Sequence, residues 1–214
     1  AEEVLEETDM AFLFAQKYHS AMKNVGPVRK EMGERTIFNI LGPLTNPANA
    51  SRQLLGVYDK ELVEKLAEVL ANLGVTRGMS VCGGDGLDEI TVTGPTYCCE
   101  IKDGELTSYE IIPEQFGLST YPLAELVGGT PEENAQITKD ILSGTLKGAK
   151  RDVVLMNAGI GIYLGSENLT MEEGIKKAEE LINSGKAYEK MEEFVKATQQ
   201  LSLIHISEPT RQEA

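Results

Sequence analysis

A stretch of thirty residues constrains this chain more than any other. Gln53 to Tyr58 (QLLGVY) is an apolar run of strand length, and Asp59 follows it with a side-chain acceptor suited to opening a helix. From Lys60 to Leu73, the residues Leu62, Leu66, Val69, Leu70 and Leu73 recur on one helical face, and Gly74 ends the run. Met79 to Cys82 is a second short, buried strand that enters a glycine turn at Gly83-Gly84. Strand, helix and strand at this spacing make a crossover unit and imply parallel pairing.

The rest of the chain extends that unit. Thr96 to Ile101 and Leu106 to Ile112 flank Lys102-Asp103-Gly104-Glu105, a hairpin whose Asp-Gly pair supplies positive φ. Thr130-Pro131-Glu132-Glu133 reads as a helix cap, a proline in the first turn and acids beside the positive end of the dipole. Helices are expected over Pro131–Ser143, Val153–Leu164, Thr170–Ser184 and Tyr188–Thr198. Shorter ones are expected over Glu2–Leu5 and Val25–Met32, the latter stopped by Gly33. Leu41 to Pro47 holds two prolines and a glycine and should break regular structure. The fold class is α/β: a mostly parallel central sheet flanked by helices, with a β-hairpin. No repeat or linker divides residues 1–200, which read as one domain. Residues 201–214 resemble the translated read-through of a sequencing adaptor and are set apart as a non-native tail, leaving His19 as the native histidine.

Composition narrows the function classes. An apolar fraction of 41% with 21 glycines is enough for a packed core and excludes a disordered chain. No apolar run approaches the ~20 residues of a membrane span. Three cysteines (Cys82, Cys98, Cys99) fit neither a disulfide framework nor a paired zinc motif, which suggests a reducing, cytoplasmic address. The formal charge of −14 argues against nucleic acid as a partner. Between Lys17 and Tyr58, however, six basic residues face two acidic ones, so that stretch is +4 and the remainder −18. Such a segment is a place to seek an anionic small ligand; it also reads as an ordinary solvated face.

Two constellations carry candidate chemistry. Arg29 offers a planar fork of donors that matches a carboxylate in two parallel hydrogen bonds, and His19 lies ten residues before it. Gly42 permits close backbone approach, and Pro43 stiffens the loop. Together they describe a wall for a small planar acid, or else a surface ion pair, a packed histidine and a tight connection. Asp88-Glu89 follows the turn Gly83-Gly84-Asp85-Gly86 at the carboxyl end of a parallel strand, where ligands gather in open α/β sheets. Paired carboxylates suit Mg²⁺ shared with substrate phosphates; the plain alternative is a solvated turn. Cys98-Cys99 should point to opposite faces of a strand with one thiol buried, and no catalytic dyad is in view. Gly159-Ile-Gly161-Ile-Tyr-Leu-Gly165 imitates a dinucleotide fingerprint with its third glycine one residue late, and reads instead as a glycine-containing buried helix.

Taken together, Phe12-Leu-Phe-Ala-Gln-Lys-Tyr-His19, Val28-Arg29, Arg35-Thr36-Ile-Phe-Asn39 and Leu41-Gly-Pro-Leu-Thr-Asn-Pro47 resemble the anthranilate phosphoribosyltransferase family. Asp88-Glu89, Phe116-Gly117-Leu118 and Gly128-Gly-Thr-Pro-Glu-Glu-Asn134 resemble it farther along. The resemblance implies the large domain of a phosphoribosyltransferase/nucleoside-phosphorylase-like fold. It also implies transfer of the 5-phosphoribosyl group of phosphoribosyl pyrophosphate (PRPP) to anthranilate in tryptophan biosynthesis, with Mg²⁺ as cofactor and a homodimeric parent enzyme. Arg29 falls on the arginine that takes the anthranilate carboxylate, with His19, Gly42 and Pro43 beside it. Asp88 and Glu89 fall on the metal-binding pair. The family's Gly-Thr-Gly-Gly-Asp phosphate loop, its Asn-x-Ser metal segment and its N-terminal helices are not found in these residues, so the chain alone is expected to be a truncated, inactive piece. Two other readings remain open at this point: a nucleoside phosphorylase-like enzyme, and a non-catalytic ligand- or nucleic-acid-binding relative.

Overall fold

The computed structural model describes residues 1–13, 31 and 38–207, with residues 38–39 and 201–207 as backbone only. Helix α1 (Glu2–Thr8) begins with two acids in its first turn and stops where Asp9 turns left-handed, at φ 58°. It runs one turn beyond the expected end. Helix α2 (Phe38–Leu44) carries Gly42 and Pro43 inside it, so the expected break at Leu41 is corrected. Pro43 sits near the helix end, where its missing N–H costs one bond. Thr45 closes the turn by donating from both N–H (3.1 Å) and hydroxyl (2.8 Å) to the Leu41 carbonyl.

The crossover unit forms as the periodicity predicts. Strand β1 (Arg52–Gly56) leads to Asp59, whose side chain accepts from the Glu61 N–H at 2.9 Å. A 3₁₀ turn (Lys60–Leu62) then opens α3 (Val63–Asn72), and Gly74 at φ 97° releases the chain into β2 (Arg77–Gly83). β1 and β2 pair in parallel, with Arg52 opposite Arg77 and Gly56 opposite Val81. β3 (Thr96–Lys102) and β4 (Glu105–Ile111) form the hairpin, with Asp103 and Gly104 both at positive φ as a two-residue turn requires. The sheet order is β1-β2-β3-β4, and β2/β3 and β3/β4 are antiparallel. The α/β class stands, but among the described residues the sheet is mixed rather than mostly parallel. The physical reason is that the loop after β2 returns the chain directly, with no crossover helix.

Helices cover both sheet faces. On one, Leu66, Ala67 and Leu70 of α3 bury Leu55, Cys82, Cys99 and Ile101. On the other, α5 (Ala149–Gly165) packs Met156, Ile160 and Tyr163 on Met79, Val81 and Cys98. Cys98 and Cys99 do face opposite ways, but both are buried, because both faces are covered. A third cluster joins α5 to α4 (Pro131–Leu142) and α6 (Met171–Asn183) through Ile141, Leu155, Ile175 and Ile182. The backbones of α5 and α6 nearly touch: a Cβ on Gly159 would overlap Ile175, and one on Gly174 would overlap the Gly159 carbonyl. The glycine-rich segment is therefore the buried helix expected of it. Thr130 and Thr170 each close a reciprocal capping box, with Glu133 and Glu173, worth about 1 kcal/mol apiece. The last helix, α7 (Lys186–Ser207), continues past Leu201, where no periodicity was expected to sustain it. Among the described residues no helix is long and apolar enough to cross a membrane.

Candidate functional site

The acidic turn is assembled from inside outward. Gly83 donates from its N–H to the Leu87 carbonyl at 2.9 Å, and Gly84 donates to the Pro95 carbonyl at 2.7 Å, drawing residues 84–95 into a compact return. Asp85 points into that return. Its carboxylate accepts from the hydroxyls of Thr91 (2.7 Å) and Thr93 (2.5 Å) and from the Leu87 N–H (3.1 Å). Burial alone would raise its pKa, but the Thr93 and Thr91 hydroxyls and the backbone donors outweigh it and hold Asp85 below the ordinary 3.8. The oxygens of Asp85 are committed to holding the loop together.

Asp88 and Glu89 stand on the outer side, exposed. A Cβ on Gly56, the last residue of β1, would overlap the Asp88 carbonyl oxygen, so the turn lies directly on the carboxyl end of that strand. This is the edge at which open α/β sheets bind ligands. The Glu89 carboxyl reaches solvent, yet partial burial raises its pKa, and the Asp88 and Asp85 charges raise it further. A cation between the carboxylates would relieve that repulsion. From α5, Asn157 grips the next residue from both sides: its Oδ1 accepts from the Ile90 N–H at 3.0 Å, and its Nδ2 donates to the Ile90 carbonyl at 2.7 Å. Nothing in the local sequence around Asn157 signals this contact, which spans 67 residues of chain. Beneath the turn, burial pushes the Cys82 thiol up, aided by Asp59, Asp85 and Asp88. It is a structural thiol.

The donor set has a chemistry. Among the described residues no three His, Cys, Asp or Glu side chains converge as a closed metal cage. Two hard, exposed carboxylates match what Mg²⁺ takes from a protein when phosphates and water complete its shell.

The other expected site residues fall elsewhere. His19 and Arg29 lie outside the described residues. Gly42 and Pro43 sit on α2, and the Pro43 carbonyl accepts from Gln53 Nε2 at 3.3 Å. The α2 segment is thus tied near the amino end of β1, while the acidic turn rests on its carboxyl end, roughly 10 Å along the strand at ~3.3 Å per residue. Arg52, counted within the basic stretch, is engaged by the fold. Its guanidinium donates to the carbonyls of Leu164 (3.3 Å) and Gly165 and pairs with Glu167 at 3.2 Å. A surface cavity of about 720 Å³ lies between the start of α3 and the hairpin, with Asp59, Glu61, Glu64 and Glu110 in its wall. There Ser108 donates to Glu64 at 2.7 Å, and Lys60 lies 3.8 Å over the Tyr97 ring. Its four carboxylates repel an anionic ligand, and its one lysine is engaged.

Comparison with known proteins agrees with this architecture. An anthranilate phosphoribosyltransferase of Endomicrobium trichonymphae is 53% identical over 197 residues, covering 92% of this chain and 58% of that protein. The crystal structure of anthranilate phosphoribosyltransferase from Thermus thermophilus superposes with a TM-score of 0.85 at 42% identity, over 92% of this chain and 58% of that one. The Saccharomyces cerevisiae enzyme in complex with PRPP and Mg gives 0.77 at 34% identity, over 85% and 52%. The chain therefore spans little more than half the length of the relatives it matches. With residues 1–188 matched to the glycosyl transferase family, a/b domain, the chain belongs to that family.

Proposed function

We propose that the protein carrying this chain transfers the 5-phosphoribosyl group of PRPP to the amine of anthranilate, a step of tryptophan biosynthesis. The observation that carries the reading is the Asp88–Glu89 pair, exposed on the carboxyl end of the parallel strands while the neighbouring Asp85 is turned inward. The name of the Endomicrobium relative and the PRPP and Mg of the yeast complex support it. Asp88 and Glu89 would hold Mg²⁺, which when bound supplies positive charge for the departing pyrophosphate.

The chain's own residues then bind and orient. Arg29 takes the anthranilate carboxylate through its two-donor fork, and His19 flanks the same ligand. Among the described residues nothing stands within 4 Å of where a Gly42 Cβ would be, which suits a planar ring beside Pro43. The carbon–oxygen bond to pyrophosphate breaks as the carbon–nitrogen bond to the amine forms, and the amine gives up one proton to water or to pyrophosphate. The aromatic amine is itself the nucleophile and needs mainly to be held in place, so no covalent residue is required. The 214-residue chain by itself should not turn over, because the glycine-rich phosphate loop is not among its residues. In the complete protein, Asp88→Asn with Glu89→Gln should lower PRPP-dependent loss of anthranilate fluorescence by about 10²–10³-fold, with little change in thermal stability. Undiminished turnover in that double variant overturns the proposal.

A further inference from the structure

We propose that Asn157 is a positioning residue for the metal-binding turn. The inference rests on the reading of Asp88 and Glu89 as Mg²⁺ ligands and adds the residue that aims them. Asn157 makes the two backbone bonds that a neighbouring strand would make: Oδ1 accepts the Ile90 N–H at 3.0 Å, and Nδ2 donates to the Ile90 carbonyl at 2.7 Å. Nδ2 also donates to the Val153 carbonyl one helical turn back, at 2.9 Å, which fixes the amide's orientation. Ile90 follows Glu89 directly and is fully buried, so its backbone sets where the Glu89 side chain leaves the turn.

The helix that carries Asn157 is itself immobilised. Two residues on, Gly159 lies against Ile175 of α6 with no room for a Cβ, and Met156 and Ile160 are fully buried in the sheet-facing core. Within the turn itself, the hydroxyls of Thr91 and Thr93 bind Asp85. The turn is thus held both by its own aspartate and by a helix, and Asp88 and Glu89 are the acids left exposed. Residues that orient metal ligands in this way typically change metal affinity by about 10–100-fold when replaced.

The test is Mn²⁺ binding, followed by electron paramagnetic resonance on the complete protein with PRPP present. Asn157→Ala should weaken Mn²⁺ by about 10–100-fold. It should raise the Mg²⁺ needed for half-maximal turnover and leave the anthranilate KM in place. Asn157→Gln keeps both amide groups but displaces them by one methylene, and should weaken Mn²⁺ less. If Asn157→Ala fails to fold, Asn157→Gln decides. Parent-like Mn²⁺ binding in the folded Asn157 variants, with weakened binding in Asp88→Asn, overturns the positioning role alone. Parent-like binding in Asp88→Asn as well overturns the metal reading beneath it.

Discussion

The two ends of the β1–β2 pair carry opposite charges and treat them in opposite ways. At the amino end, Arg52 and Arg77 stand in register. Both reach the last carbonyls of α5, Arg52 to Leu164 and Gly165 and Arg77 to Ser166 just beyond, and Arg77 also lies 4.7 Å over the Tyr163 ring. Cations belong at a helix carboxyl terminus, where the dipole is negative. At the carboxyl end, Asp85 is consumed inside the loop while Asp88 and Glu89 stay in solvent. One end uses its charges to fasten a helix to the sheet; the other turns one acid inward and leaves Asp88 and Glu89 exposed.

That contrast can be broken in order of expected effect. Arg77→Ala removes a buried cation, its bond to Ser166 and its ring contact, and should cost about 2–4 kcal/mol in denaturant unfolding. Divalent-metal binding should not change; a large loss of it would mean the two ends are not independent. Gly56→Ala should cost about 1–3 kcal/mol, since its methyl must displace the Asp88 carbonyl, and here Mn²⁺ binding should weaken too. Intact metal affinity in that variant would show that the turn can shift without consequence. The smallest effect is one of pH. Because the fold lowers the Asp85 pKa, the stability Asp85 contributes is complete above its ordinary 3.8 and is lost as pH falls through the lowered value. Asp85→Asn should therefore flatten the acid limb of the unfolding midpoint below about pH 4. An unchanged limb would assign acid sensitivity to other carboxylates.

Local chemistry was legible, and long-range chemistry was not. Asp59, Gly74, the Asp103-Gly104 turn and Thr130 each act through partners within four residues, so their roles could be read from the chain itself. Pro43 misled because a proline near a helix end forfeits only one bond, which Thr45 offsets. The parallel crossover was legible from its periodicity. The return of β3 beside β2 depends on where the 84–95 loop delivers the chain, which no repeat encodes. Within the site, the adjacent acids were visible as a pair. The division of labour between them and Asp85 follows from Thr91 and Thr93, and the clamp from Asn157 on a distant helix. Arg52 was legible only as one cation of the basic Lys17–Tyr58 stretch, because its partners, Leu164 and Gly165, lie more than a hundred residues away.

The neighbouring cysteines have a practical consequence. Cys98 faces the α5 layer, where burial pushes its thiol up to about 12, and Cys99 faces the α3 layer, also raised by burial. Thiols so disfavoured as thiolates react slowly while the layers stay closed. Two adjacent positions on one strand thus form a built-in pair of reporters, each answering to a different side of the sheet. Alkylation at Cys99 ahead of Cys98 would time the lifting of one helical layer alone, and simultaneous loss of both would mark the opening of the whole domain.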